Sequence, residues 1–196
     1  MATTTKLDKT TPKKGTRYET YGTSSYAILH APVRDKKYGT NPDGSLKRPT
    51  YRQTVIYPSA DDPALKELKS VIRKNGISKK IREVLDEDKN ETGEYSFTFT
   101  RTAFEDEETG KFTNAPQVVD HGNNTIPKDK LIGNGSKIKV SYNVKTSRGT
   151  AGEKNSLQLL GVQVLKLVEY KPTPLFSAVD IVEESTDDTE ESPASF

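Results

Sequence analysis

Lys137-Ile138-Lys139-Val140-Ser141-Tyr142-Asn143-Val144-Lys145 alternates polar and apolar residues throughout. Successive side chains of an extended strand point to opposite faces, so this segment predicts a strand whose apolar face is buried. The polar face then carries Lys137, Lys139, Ser141, Asn143 and Lys145. Charges two positions apart lie about 6.6 Å apart along such a face, which suits the backbone of a nucleic-acid strand. A solvated strand face without any ligand fits this segment equally well.

Strand-type composition or a period of two recurs in five other segments. They are Tyr26 to His30, Thr50 to Tyr57, Tyr95 to Thr100, Gln117 to Val119 and Leu157 to about Glu169. The acidic run from Glu105 to Gly110 is typical of a turn that returns the chain through Phe112. Five or six strands without βαβ alternation predict a mainly β fold, a small antiparallel barrel of the OB type.

One helical insertion interrupts the strands. Asp62 is a good N-cap residue, Pro63 suits the first helical position, and Leu65, Leu68 and Ile72 follow at helical spacing. Gly76 suits the end of this helix. Ile77, Ile81 and Val84 or Leu85 repeat the helical spacing, which predicts a second short helical piece. We expect both pieces to cover one end or face of the sheet.

The net charge of +2 conceals two opposed parts of the chain. The C-terminal segment contains no Lys or Arg and seven acidic residues, namely Asp180, Glu183, Glu184, Asp187, Asp188, Glu190 and Glu191. Of the 28 acidic residues, 21 remain in the rest of the chain beside all 30 basic residues, so that part carries about +9. Such a body attracts polyanions.

Three regions follow from this composition. We expect residues 1–17 to form a basic, flexible N-terminal arm that includes Lys13 and Lys14, residues 18–172 to form the folded domain, and residues 173–196 to form a disordered acidic tail. Acidic tails often act only as solubilising brushes. Phe196 ends this tail, twenty residues after the nearest other aromatic residue, Phe176. An isolated terminal aromatic residue favours a docking motif instead, or a mimic of DNA that competes for the basic cleft.

A second basic and aromatic cluster comprises Lys47, Arg48, Tyr51 and Arg52, with Arg34, Lys36, Lys37 and Tyr38 before the turn that precedes it. The cations would neutralise phosphates while Tyr38 or Tyr51 stacks on a base. Such stacking contributes about 1–3 kcal/mol per base whatever the sequence. A core position for Tyr51 is equally compatible with a strand, because alternate residues point inward.

Catalytic and cofactor sites find little support. The chain has no Cys and only His30 and His121, which argues against a metal site, so we expect no cofactor. The Gly133 to Ser136 segment lacks the Lys-Ser/Thr ending of a phosphate-binding loop, and no nucleophile lies in a recognisable motif. We therefore predict that the protein is not an enzyme. No stretch approaches the roughly 18 apolar residues of a membrane span.

The order of these features resembles a known family, the single-stranded DNA-binding proteins of T-seven-like podophages. The most specific pieces are Gly22-Thr23 with Tyr26-Ala27, and Ile132-Gly133-Asn134-Gly135-Ser136-Lys137-Ile138-Lys139-Val140. The resemblance covers Lys13 to Tyr170, whereas the tail matches in character only. It implies an OB fold with an inserted helix, a dimer, strand annealing, and a location in the host cytoplasm. It also implies that the tail contacts the phage DNA polymerase and helicase-primase and competes with DNA.

Carried over by position, the resemblance implies DNA contacts at Lys13 and Lys14 in the arm, Arg48 in the basic loop, Arg101 after the aromatic strand, and Lys139. A tyrosine that follows the Lys139 strand in the family is absent here, where the chain reads Lys145-Thr146-Ser147-Arg148. Stacking would then fall to Tyr51 or Tyr38. The predicted DNA-contacting residues are Lys13, Lys14, Lys47, Arg48, Tyr51, Arg52, Arg101, Lys137, Lys139, Lys145 and Arg148.

The function predicted from the sequence is sequence-independent binding of single-stranded DNA in phage DNA replication and recombination. The alternative is a structural or assembly protein of the virion, in which the opposed charges join neighbouring subunits.

Overall fold

A computed structural model of the protein describes residues 16–33, 47–149 and 152–170. These residues form nine strands and one helix. The elements in chain order are β1 (Arg17–Val33), β2 (Thr50–Tyr57), α1 (Pro63–Lys74), β3 (Arg82–Leu85), β4 (Glu91–Thr102), β5 (Phe104–Glu105), β6 (Phe112–Thr113), β7 (Gln117–Asp120), β8 (Lys137–Gly149) and β9 (Gly152–Lys166).

Five strands close into a barrel in the order β4-β2-β1-β8-β9. A pairing of Thr100 with Gln158 joins β4 to β9 and completes the closure. The mainly β barrel with one inserted helix is therefore confirmed. Not every pair is antiparallel as expected, since β4–β9 and β7–β9 run parallel. The five strands of the barrel agree with the predicted five or six. Outside the barrel, short strands extend the sheet at β3 and β7, and β5 pairs with β6 separately.

The barrel interior is filled by alternate residues of its strands. Ile138, Val140 and Tyr142 of β8 are fully buried, as the alternation of that segment predicted. The Phe99 ring packs against the rings of Phe97 and Tyr142, with 4.9 Å between centroids in both pairs. Burying each large apolar side chain contributes about 1.5–3 kcal/mol, so these strands are held with one face inward.

Helix α1 begins and ends where the sequence predicted. The Asp62 carboxylate accepts a hydrogen bond from the backbone N–H of Leu65, 3.0 Å away, and caps the first turn. Gly76 adopts φ +60° just after the last turn, a conformation that glycine tolerates best. The helix buries Leu65, Leu68 and Val71 against the barrel. Among the described residues, no helix is long and apolar enough to cross a membrane.

The second helical piece was predicted wrongly. Residues 78–81 have no regular structure, and Arg82–Leu85 forms strand β3 against β4. Ile77 is buried and Ile81 packs against the core, so their spacing reflects burial in an irregular segment rather than a helix. Pairing with the edge of β4 satisfies the backbone groups of this segment, and a helix there would leave that edge open.

Strand β1 is much longer than the predicted segment from Tyr26 to His30, and it connects the two halves of the barrel. Residues Arg17 to Thr23 pair with β8, while Thr23 to Val33 pair with β2. The strand bends at Tyr26, where φ is +50° and the register with β2 shifts. Gly22 allows the close approach of β2, since a Cβ there would lie 2.7 Å from the carbonyl oxygen of Ile56.

Candidate nucleic-acid interface

The outer surface of β1 and β8 combines lysines with an exposed aromatic ring. Tyr21 pairs directly with Lys139, and Thr23 pairs with Lys137. Directly opposed residues project to the same side of a sheet, so all four side chains share one surface. Lys137 Nζ donates to Thr23 Oγ1 over 2.9 Å, and the Tyr21 side chain is 51% exposed. We call this surface, with Arg17 and Glu19, the β8 face.

Two polar contacts modify the charge of the β8 face. The Glu19 carboxylate lies 3.6 Å from Lys139 Nζ and neutralises part of its charge. The guanidinium of Arg17 donates to the Ser141 hydroxyl. Arg17, Glu19, Lys139 and Ser141 line an open cavity of about 230 Å³ together with Gln163. The face thus offers three cations, one carboxylate and a stacking ring to a ligand that lies across β1 and β8.

Arg52 lies on the outer surface of the other half of the barrel. It pairs with Thr100 of β4, and its Nε donates to Thr50 Oγ1 over 2.9 Å. The neighbouring pair Thr54 and Thr98 joins its hydroxyls at 2.8 Å. This outer surface of β2 and β4, the β4 face, is therefore lined by hydroxyls beside a cation. Thr23 of β1 pairs with both Lys137 and Ile56, so β1 connects the β4 face to the β8 face.

A third cluster surrounds the β5–β6 hairpin, which confirms the turn predicted at the acidic run. Arg48 lies over the ring of Phe104, with its Cζ 5.1 Å from the centroid. Phe104 and Phe112 remain 43% and 41% exposed, an unusual pair of surface phenylalanines in one small hairpin. Lys47 is exposed just before Arg48. Phe112 also lines an open cavity of about 530 Å³ that reaches His30 and Tyr51.

Two predicted contact residues point into the protein. Tyr51 is 1% exposed, so its ring belongs to the barrel interior and is not available to stack on a base. Arg101 lies opposite Tyr51 in the sheet, and its guanidinium donates to the carbonyl oxygens of Asn114 and Leu159 over 2.7 and 3.1 Å. Burial lowers the pKa of Arg101. These contacts tie β4 to the segment before β7 and to β9, so the guanidinium is already occupied.

Lys145 and Arg148 are exposed, but they lie on the end of the β8–β9 hairpin beyond the last residue of β8 that pairs with β1. Arg148 Nε is 2.7 Å from the Glu153 carboxylate. The structure does not bring these two cations to Lys137. Lys13, Lys14, Tyr38 and the whole acidic tail from Asp180 to Phe196 lie outside the described residues.

The most informative residue that the sequence reasoning missed is Tyr21. The Tyr and Thr content of residues 17–23 was the available signal for a strand here. Phe104 and Phe112 were also missed, because an exposed hairpin aromatic has no local signature. Within the described residues, no group of three or more His, Cys, Asp or Glu side chains is placed to hold a metal ion.

No protein-family model matches the chain, and no curated protein matches it. The structure is similar to gp2.5, a single-stranded DNA-binding protein encoded by bacteriophage T7, with a TM-score of 0.52 and 24% identity over 91% of this chain and 99% of that chain. It is also similar to the single-stranded DNA-binding protein from bacteriophage Enc34 in complex with ssDNA, with a TM-score of 0.50 and 15% identity over 82% of this chain and 89% of that one. The expected resemblance is confirmed at the level of the fold.

Proposed function

We propose that this protein binds single-stranded DNA without sequence preference during phage DNA replication. The observation that carries the proposal is the β8 face, where the exposed ring of Tyr21 lies directly opposite Lys139 and beside Lys137. Single-strand binders combine cations that follow the backbone with rings on which bases stack, because every base has a flat face. The fold is shared with two phage proteins described as binding single-stranded DNA.

The β8 face provides the first part of the proposed path. Lys137 and Lys139 are about 6.6 Å apart along the strand and would each pair with a phosphate. Tyr21 would stack on a base and replaces the tyrosine that the sequence lacks after Lys145. Thr23 offers its hydroxyl to the DNA backbone. None of these contacts reads the edge of a base, so binding would tolerate any sequence.

Arg52 and the hairpin cluster continue the path around the barrel. Along β2, Arg52 lies four residues from Ile56, the partner of Thr23, which is a distance of about 13 Å. Beyond it, Lys47 and Arg48 would pair with phosphates while Phe104 or Phe112 provides a second stacking ring. A path that runs from the β8 face past Arg52 to the hairpin suits the site size of an OB fold, about 4–16 nucleotides. Lys13, Lys14, Lys145 and Arg148 would add contacts at its periphery.

The acidic tail is proposed to compete with DNA for these cations and to dock on replication partners. This proposal is supported by the distribution of charge, since the rest of the chain carries about +9 and the tail carries seven carboxylates. The resemblance identifies the expected partners as the phage DNA polymerase and helicase-primase, and it adds strand annealing, recombination and a homodimer. Each of these belongs to the proposal.

The test is a fluorescence titration of the full chain with single-stranded and double-stranded oligonucleotides at several salt concentrations. We expect tighter binding to the single strand and a linear fall of log K with log salt. Equal or tighter binding to the duplex would overturn the proposal. Absence of any DNA binding, together with abundant protein in purified virions, would favour the structural alternative.

A further inference from the structure

Lys79 occupies an unusual position at the edge of β4. Strand β3 pairs with β4 at Ser96, and β9 pairs with it at Thr100. Between these two pairings, the carbonyl oxygen of Thr98 accepts a hydrogen bond from Lys79 Nζ. The ammonium also lies 5.4 Å from the centroid of the Phe97 ring. Lys79 is therefore held at a fixed place beside the β4 face, although it belongs to an irregular segment.

Two arginines lie near enough to Lys79 for their charges to act on its ammonium. Arg52 pairs with Thr100, and Arg82 pairs with Ser96. Opposed residues project to the same side, and Ser96, Thr98 and Thr100 alternate with the inward Phe97 and Phe99, so both arginines are on the outer surface. Arg52 and Arg82 thus flank a row of outer hydroxyls from Thr54, Ser96, Thr98 and Thr100, and Lys79 lies at the edge of β4 beside this row.

Within the part of the chain that the structure describes, no salt bridge joins an acidic side chain to Arg52, Lys79 or Arg82. The salt bridges found among the described residues join Lys66 to Asp61, Lys139 to Glu19, and Arg148 to Glu153. The Glu83 carboxylate accepts instead from the Tyr95 hydroxyl over 2.8 Å. Glu94, the next acidic residue on the outer side of β4, is about 13 Å from Thr98 along the strand. It is only about 6.6 Å from Ser96, so it lies nearer to Arg82 than to Lys79.

The two arginines and the burial of the ammonium change the pKa of Lys79. Burial of its ammonium lowers the pKa to about 8, and repulsion from Arg52 and Arg82 lowers it in the same direction. Like charges without a counterion disfavour the protonated form, whereas a bound anion restores it. Hydroxyls and guanidinium groups are the donors that hold phosphate in protein sites.

We propose that Arg52, Lys79 and Arg82 form a phosphate subsite on the β4 face that binds one phosphodiester group of single-stranded DNA. This subsite rests on the proposed function, and it adds Lys79 and Arg82 to the predicted contacts. Because the bound phosphate keeps Lys79 protonated, DNA binding above neutral pH is coupled to the uptake of one proton. The affinity of the whole protein for DNA therefore falls as the pH rises through the pKa of Lys79.

The experiment measures binding of the full chain to a deoxyadenosine oligonucleotide between about pH 7 and about pH 9. With Lys79 titrating near 8 when free and remaining protonated when bound, the affinity should fall about tenfold across this range. K79R keeps a charge that does not titrate, so its affinity should stay nearly constant. K79Q should bind more weakly at pH 7, also without pH dependence, and its salt slope should be shallower by about 0.7.

The neighbouring K80Q is the matched control, because it removes one exposed charge from the same segment. It should retain the pH dependence of the unmodified protein. R82Q removes a positive charge that repels the Lys79 ammonium, so the pH at which the affinity for DNA falls should move upward. A merely structural role of Lys79 would not produce this shift. An unmodified protein whose affinity does not change with pH, or a K79R variant that still loses affinity, would overturn the subsite while leaving DNA binding intact. Absence of all binding would instead refute the proposed function.

Discussion

Replacing Lys137 and Lys139 with glutamine tests the β8 face most directly. Both ammonium groups lie on the outer side of β8, whereas the barrel is held by Ile138, Val140 and Tyr142 on the inner side. Lys137 donates a hydrogen bond to the Thr23 hydroxyl, and Lys139 lies near the Glu19 carboxylate. The double variant K137Q/K139Q should therefore fold normally and lose two phosphate contacts.

The magnitude follows from counterion release. Each phosphate neutralised on a single strand contributes about 0.7 to the slope of log K against log salt, so the slope of the double variant should be shallower by at most about 1.4. Between about 50 and 200 mM salt, the unmodified protein should then lose up to about sevenfold more affinity than the variant. Because Glu19 already neutralises part of Lys139, K139Q alone should change the slope less than K137Q alone. E19Q should make the slope steeper and tighten binding.

The assay is a fluorescence titration with one single-stranded oligonucleotide at four or more salt concentrations, about 50–200 mM. Circular dichroism and urea unfolding confirm that each variant is folded. K66Q is the control, since Lys66 carries an exposed charge on α1 that pairs with Asp61 over 2.9 Å. If K137Q/K139Q and K66Q had the same slope as the unmodified protein, β8 would not contact the phosphates.

Three further predictions concern the aromatic contact, the tail and the barrel. Y21A should weaken binding to single strands by about 1–3 kcal/mol with an unchanged salt slope, whereas Y26A, which also removes an exposed ring, should have little effect in the same titration. Deleting residues 180–196 should tighten DNA binding at low salt and abolish pull-down of the replication partners. F196A should weaken binding to the partners more than binding to DNA. Equal effects of F196A on the two interactions would argue against a docking role. G22A should lower the free energy of urea unfolding by about 1–3 kcal/mol or more, because the added Cβ meets Val55 and the backbone of Ile56. An unchanged unfolding midpoint would contradict that packing.

Local periodicity explains why some elements could be predicted. The β8 segment alternates without interruption, and α1 has both an N-cap residue and apolar residues at helical spacing, so each carries its own signal. The spacing of Ile77 and Ile81 predicted a helix wrongly, because apolar spacing indicates which residues are buried and these two are buried in an irregular segment. In β2, Gln53 is fully buried and hydrogen-bonded to the Ser24 hydroxyl, so polarity does not reveal which residues face inward. The orientation of Tyr51 could not follow from such a strand.

The binding surface depends on pairings that no local pattern contains. Tyr21 and Lys139 are far apart in the chain, and each is unremarkable by itself. They become neighbours only because the register of β1 against β8 sets Tyr21 opposite Lys139 rather than one position away. A slip of one residue would turn Tyr21 inward and bring Tyr18 outward, where it could no longer stack on Tyr142 at 5.6 Å between ring centroids. The packing of the core therefore fixes the register, and the register in turn assembles the aromatic and basic halves of the proposed interface.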